Sequence, residues 1–203
     1  MTGENNWFET DKGQALAAQG VSACASWLWP LCGHNALVLQ PCAQGLPLPD
    51  LQCAPVYQLQ RAQQRFYGDV IAEDARLPLA NECMALVLAA FVMETAGNPE
   101  ALIAECERVL VPEGHFALLT LNPFAPVRLT GVWSDMHLAT AATWSAKLSE
   151  AGLDLIRHER LGNARPPALC SVNFLLLRKR KAALTPLRKN AAAVALARER
   201  TPT

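Results

Sequence analysis

Two short apolar runs, MALVLAAF at 84–91 and HFALLTL at 115–121, are separated by a segment that local rules make a helix. Asn98 supplies a capping oxygen, and Pro99 suits the first helical position, where its missing N–H is not needed. Glu100 faces the positive end of the helix dipole. Leu102, Ile103, Cys106, Val109 and Leu110 then fall on one stripe. Pro112 and Gly114 turn the chain into the second run. Both runs are apolar throughout rather than alternating, the pattern of strands buried on both faces. Strand, helix and strand in this order imply a right-handed parallel crossover, and that unit constrains what the rest of the chain can build.

The flanking segments extend the pattern. Leu16, Val21, Cys24, Trp27, Leu28 and Leu31 recur at roughly helical spacing, with Thr10 as N-cap and Pro30 near the end, which predicts an amphipathic helix over 11–29. Ala36 to Leu39 read as a buried strand, and the Pro- and Gly-rich loop AQGLPLPD after it is too broken for a regular helix. A weak strand is expected at 54–59 and a very short one at 69–71. A helix is expected at 141–151, stopped by Gly152, followed by two closing strands in DLIRHERL and SVNFLLLRKR. Strands alternating with helices give an α/β protein with a mostly parallel central sheet and helices on both faces.

The chain has 203 residues, of which 51% are apolar, enough for one domain with a sizeable core. No apolar run approaches the ~18 residues of a membrane helix, and MTGENNWFETDKG lacks the basic and apolar regions of a secretory signal. The expectation is a cytoplasmic protein without a membrane partner. Seven cysteines form no CxxC pair and read as free, mostly buried thiols, and no His, Cys, Asp or Glu grouping has metal-ligand spacing. Charge is divided unevenly: residues 1–177 carry 10 Lys and Arg against 17 Asp and Glu, whereas 178–203 carry 8 against 1. This predicts a domain over 1–181 and a basic tail over 182–203.

The segment GDVIAEDARLPLANECMALVLAAFVMETAGNPEALIAECERVLVPEGHFALLTLNP resembles the S-adenosylmethionine-dependent methyltransferases of the seven-stranded Rossmann-like type. Asp74 stands where that superfamily ends its third strand in an acid. Leu77-Pro78-Leu79 matches its LPF-like turn, Val92-Met93-Glu94-Thr95 its VLEH-like element, and Arg108 to Gly114 its RVLxPGG. A further likeness is to a small bacterial subgroup with a WFxTxxGxxL element (Trp7, Phe8, Thr10, Gly13, Leu16), Asn122-Pro123 after strand five, and Lys179-Arg180 with Thr185-Pro186-Leu187-Arg188 at the end. Together these cover about 7–188. The resemblance implies a methyltransferase with S-adenosylmethionine as cofactor and an unknown acceptor. The alternative is a methyltransferase fold kept as a non-catalytic interaction module.

By that resemblance the cofactor is bordered by the loop after the first strand (Gln40, Pro41, Gly45), by Gln60 at the end of the second, by Asp74 and Ala75 at the adenine, and by Ala90 and Phe91 after the fourth. Physically, the loop is poor in glycine: Pro41 donates no N–H, and side chains stand where backbone normally approaches the ligand. Gln60 occupies the place of an acid that would accept both ribose hydroxyls. Glu94 either anchors the following loop or serves the site. Asn122 either lines an acceptor cleft or forms a turn. His137, in the variable region after strand five, is the one histidine suggested as a base; His34, His115 and His158 read as structural or exposed. The basic residues at 178–200 either engage an acidic partner such as RNA or lie on the chain's own acidic body.

Overall fold

The computed structural model describes residues 6–62, 65–126, 128, 133, 136–162 and 169–180. A single 3-10 turn, Trp7–Glu9, leads into α1 (Asp11–Leu28), followed by β1 (Cys32–Gln40), β2 (Gln52–Ala62), β3 (Arg65–Gly68), β4 (Ala72–Glu73) and β5 (Met84–Ala90). The chain continues through α2 (Pro99–Val109), β6 (Leu110–Leu121), α3 (Ala141–Glu150), β7 (Leu153–Leu161) and β8 (Val172–Lys179). The strands form one sheet in the order β4-β3-β2-β1-β5-β6-β8-β7. β1 pairs parallel with β2 and β5, and β5 pairs parallel with β6. β8 runs antiparallel between β6 and β7.

The expected parallel centre is therefore present, with an antiparallel edge on each side. One expectation is corrected. Residues 69–71 do not form the third strand; a hairpin does, with β3 antiparallel to β2 and β4 antiparallel to β3. Tyr67 and Phe66 supply the β-favouring residues, and Gly68 allows the strand to leave at φ +145°, where an added Cβ would lie 2.1 Å from Gln58 O. The turn expected at Pro112–Gly114 is realised inside β6. The ladder runs from Met84↔Leu110 straight to Leu86↔His115, with Glu113 at φ +66° in the bulge.

Strand alternation divides the core by face. Ala36, Val38, Leu86, Leu88, Ala117, Leu119, Phe174 and Leu176 pack under α1 with Trp7, Phe8 and Trp133. Leu37, Leu39, Val87, Ala89, Phe116, Leu118, Leu175 and Leu177 pack under α2 and α3 through Leu102, Ile103, Cys106, Trp144 and Leu148. The capping residues act as expected: the Thr10 hydroxyl accepts from Gly13 N, Asn98 Oδ1 from Ala101 N, and Thr140 from Thr143 N. Among the described residues no helix is long and apolar enough to cross a membrane, and no metal-binding group of side chains is found. Burial pushes the Cys24 thiol up to about 12 and raises Cys106 further; such thiols are packing groups.

The WFxTxxGxxL element is a folding device. Thr10 donates its hydroxyl proton to Trp7 O while capping α1, and Phe8 meets Phe91 with ring centroids 5.3 Å apart. Gly13 is required because a Cβ there would sit 2.2 Å from Trp7 O, a backbone atom that cannot step aside. Gly13→Ala should destabilise the protein by about 1–3 kcal/mol, the usual range for overpacking, read as a lower urea midpoint at unchanged slope.

Candidate functional site

Ligands in open α/β sheets bind at the carboxyl ends of the parallel strands. Here those ends are Gln40 of β1 and Ala90 of β5; β2 runs on to Ala62, so Gln60 lies just inside its end rather than at it, and the ladder sets Gln40 directly opposite Gln60. The loop after β1 is closed by Gln40 itself. Its buried side chain accepts from Leu46 N at 2.8 Å and donates to Leu46 O at 3.3 Å. Pro41 O accepts from Asn6 Nδ2 at 2.6 Å. Gly45 turns the loop at φ +70°, and a Cβ there would come within 2.9 Å of Gln60 Nε2 and 3.0 Å of Gln40 Oε1. The structure thus brings Gln40, Gly45 and Gln60 together, with the one glycine of the loop where two amide side chains approach the backbone.

Asp74 is arranged differently from a carboxylate presented to a ligand. Arg61 grips it with both guanidinium nitrogens, Nη1 on Oδ1 and Nη2 on Oδ2 at 2.9 Å. Oδ2 also accepts from Gly97 N at 2.8 Å and Asn98 N at 3.4 Å. Of these four donors three fall on Oδ2 and one on Oδ1, so the carboxylate is committed chiefly to partners within the protein. Arg61 is 1% exposed and lies over the Phe66 ring at 5.0 Å. Asp74 therefore ties the end of β2 to the start of α2. Ala75, next to it, is exposed.

Ala90 and Phe91 are also placed in the core rather than on an open wall. Phe91 is fully buried against Phe8, and its ring lies 3.0 Å from where a Cβ on Gly20 would be. Its φ of +52° is an outlier for a bulky residue and costs about 1–3 kcal/mol, sustained by this packing. Glu94 anchors the following loops: Oε1 accepts from Leu121 N at 2.6 Å and its carbonyl accepts from His137 N at 2.9 Å. Burial pushes its carboxyl up to about 8, and Oε2 makes no hydrogen bond among the described residues. The exposed His137 is thereby held beside the end of β5 through its backbone. Asn122 donates to Cys170 O at 2.7 Å and accepts from Phe124 N at 3.1 Å, joining β6 to the segment before β8 and forming the expected turn.

Two open grooves lie elsewhere. One, of about 520 Å³, runs between α3 and β7–β8 and includes Asn122; the other, of about 410 Å³, lies between α1 and the segment joining β7 to β8 and includes Gly20 and Cys170. Neither is lined by Gln40, Gly45, Gln60 or Asp74. Two functional placements escaped the sequence reading. Arg61 is one. Lys179 is the other: it is buried, its Nζ donates to Glu107 O at 2.8 Å and Leu110 O at 2.9 Å, and it pairs with Glu107 at 3.1 Å. Arg178 pairs with Glu113 at 3.3 Å and Arg180 with Asp154 at 2.7 Å. The first three residues of the basic run thus lie on the chain's own acids. Residues 181–203 fall outside the described residues.

Asp74→Ala should cost about 3–5 kcal/mol, because it leaves the Arg61 guanidinium buried and unpaired. Arg61→Met together with Asp74→Leu should recover much of that loss in urea unfolding. Glu94 gives a pH dependence. Its folded carboxyl holds the proton to about 8, whereas an unfolded one loses it near 4.5. The unfolded state therefore binds fewer protons in that window, and stability should fall as pH rises from about 4.5 to 8. Glu94→Gln, which still accepts from Leu121 N, should flatten this slope in denaturation curves taken across the same range.

Residues 43–118 match the family described as a methyltransferase domain. A chain in a complex between the Haloferax volcanii Trm112 methyltransferase activator and a methyltransferase is similar over 89% of this chain and all of its own length, at 15% identity and TM-score 0.66. A SAM-dependent methyltransferase from Aquifex aeolicus gives 12% identity, 82% and 93% coverage and TM-score 0.60. A Burkholderia thailandensis 1,6-didemethyltoxoflavin-N1-methyltransferase, solved with bound 1,6-didemethyltoxoflavin and S-adenosylhomocysteine, gives 14%, 88% and 83%, and 0.58. None of the curated proteins matches the chain in sequence. The matched segment carries β2, the Arg61–Asp74 tie, β5, α2 and the start of β6, around which the shared fold is built. The chain thus carries a segment that matches the methyltransferase-domain family, and it has the fold of S-adenosylmethionine-dependent methyltransferases.

Proposed function

We propose that the chain is an S-adenosylmethionine-dependent methyltransferase whose cofactor lies across the carboxyl ends of β1 and β2. The observation that carries this reading is the convergence of Gly45, at positive φ, with Gln40 and Gln60 near those strand ends. The loop from Pro41 to Gly45 would approach the methionine part of the cofactor, and Gln60 would accept from the ribose. With Asp74 held by Arg61, Gly97 and Asn98, the adenine would be met by the backbone of exposed Ala75. The bound cofactor supplies an already activated methyl group, so the chain has only to orient the acceptor, exclude water and, for an acceptor that carries a proton, remove it. His137, held beside the end of β5, is the side chain we propose for the last task, and Asn122 for orienting an acceptor.

A second reading is favoured by a specific observation: the groups that would hold the cofactor, Gln40 and Asp74, are satisfied within the protein. In that reading the fold over 1–181 is a non-catalytic module that engages a partner, with the tail 182–203 as an arm for an acidic protein or RNA. The similarity to a chain from a complex with a methyltransferase activator supports a protein partner in either reading.

Titration with S-adenosylhomocysteine separates the two. The enzyme reading expects binding by the wild type, and tighter binding by Gln60→Glu. A carboxylate accepts charge-assisted bonds from both hydroxyls where the amide offers one neutral acceptor, a gain of about tenfold. Absence of heat from both proteins at millimolar ligand would sink the enzyme reading in favour of the module.

A further inference from the structure

The groove between α3 and β7–β8 has a chemical character of its own. Its lining contains Arg160, His158, Asn173, Asn122, Thr140 and Ser145, and no aspartate or glutamate. Arg160 is exposed and takes part in none of the ion pairs formed by its neighbours, since Glu159 is paired with Arg157 at 3.0 Å. The amino end of α3 opens into the same space. Thr140 caps Thr143 N, and the first helical bond runs from Trp144 N to Thr140 O, so the amides of Ala141 and Ala142 precede the hydrogen-bonded ladder. The helix dipole adds positive potential at this end.

A second, independent feature is Asn173. It is 2% exposed, yet lines the groove, and among the described hydrogen bonds its side chain has a single long contact, Oδ1 to His158 Nε2 at 3.5 Å. Among the described residues its Nδ2 makes no hydrogen bond, and the side chain borders the groove. The ladder places Asn173 opposite Arg160 and Leu175 opposite His158, so cation, imidazole and buried amide share one face of the sheet. A neutral ligand would leave the Arg160 charge and the first-turn N–H groups unmatched. An oxygen anion satisfies the guanidinium, the helix amides and the Asn173 amide together.

We propose that this groove binds the oxyanion group, carboxylate or phosphate, of a small-molecule ligand, held by Arg160, Asn173 Nδ2 and the first-turn amides of α3. The site is separate from the Gln40–Gly45–Gln60 crevice, so it stands whether or not methyl transfer takes place.

The test uses the full chain and amide-resolved NMR titration with inorganic phosphate in one arm and succinate in the other, against potassium chloride at matched ionic strength. The expected result is saturable movement of the Ala141 and Ala142 amides and of the Asn173 side-chain amide in at least one arm. The arm that acts identifies the anion, and Arg160→Gln should weaken it several-fold without altering the remaining spectrum. Movement equal to that in chloride, no movement in either arm, or equal binding by Arg160→Gln would each overturn the proposal.

Discussion

The Arg61–Asp74 pair fixes the geometry on which the rest of this molecule depends. A guanidinium that is 1% exposed has no alternative to a matched acid, since the desolvation of either charge alone would exceed any packing gain. By holding Asp74, Arg61 joins the end of β2 to the segment after β4, and through Gly97 and Asn98 to the entry of α2. That entry sets the direction of the crossover that returns the chain to β6. Cation, carboxylate and helix start form one unit, so this side of the fold is built on an internal ion pair rather than a free acid.

Much of the fold was legible because its signals are local. Asn98 with Pro99, the uniform apolar runs and the Thr10 and Gly152 boundaries each specify an element by backbone chemistry alone, and each element formed within a few residues of its expected span. The β3–β4 hairpin was not legible, because four residues and two residues are too short for a period to show. The site was harder still. Asp74 stands where the superfamily places a ligand-facing acid, but what a carboxylate faces is decided by its partner across the sheet. A signal for that partner existed: period two puts Arg61 on the same face as the buried Leu59, and a cation pointing into a core needs an acid. The role of Lys179 at the last carbonyls of α2 had no such local mark, since it depends on the order of β6 and β8 in the sheet.

The same physics separates what the fold provides from what the residues provide. Open carboxyl ends of parallel strands come with the topology, and so does a glycine where the loop after β1 must take positive φ. Affinity for a nucleoside comes from side chains, and here amides stand at Gln40 and Gln60 where acids and glycines would bind more strongly. A cofactor at the proposed site would be held by shape and backbone more than by charge. The groove beside α3 is the reverse case, with unneutralised positive potential and a buried amide turned toward open space.

The most direct test of the central claim is a crystal structure grown with S-adenosylhomocysteine. The account predicts ligand density across the carboxyl ends of β1 and β2, with Gly45 against its chain, Gln60 at the ribose and the Arg61–Asp74 pair unbroken beneath the adenine. Ligand held by an Asp74 released from Arg61, or a crevice that stays closed by Gln40 and empty at saturating ligand, would contradict it.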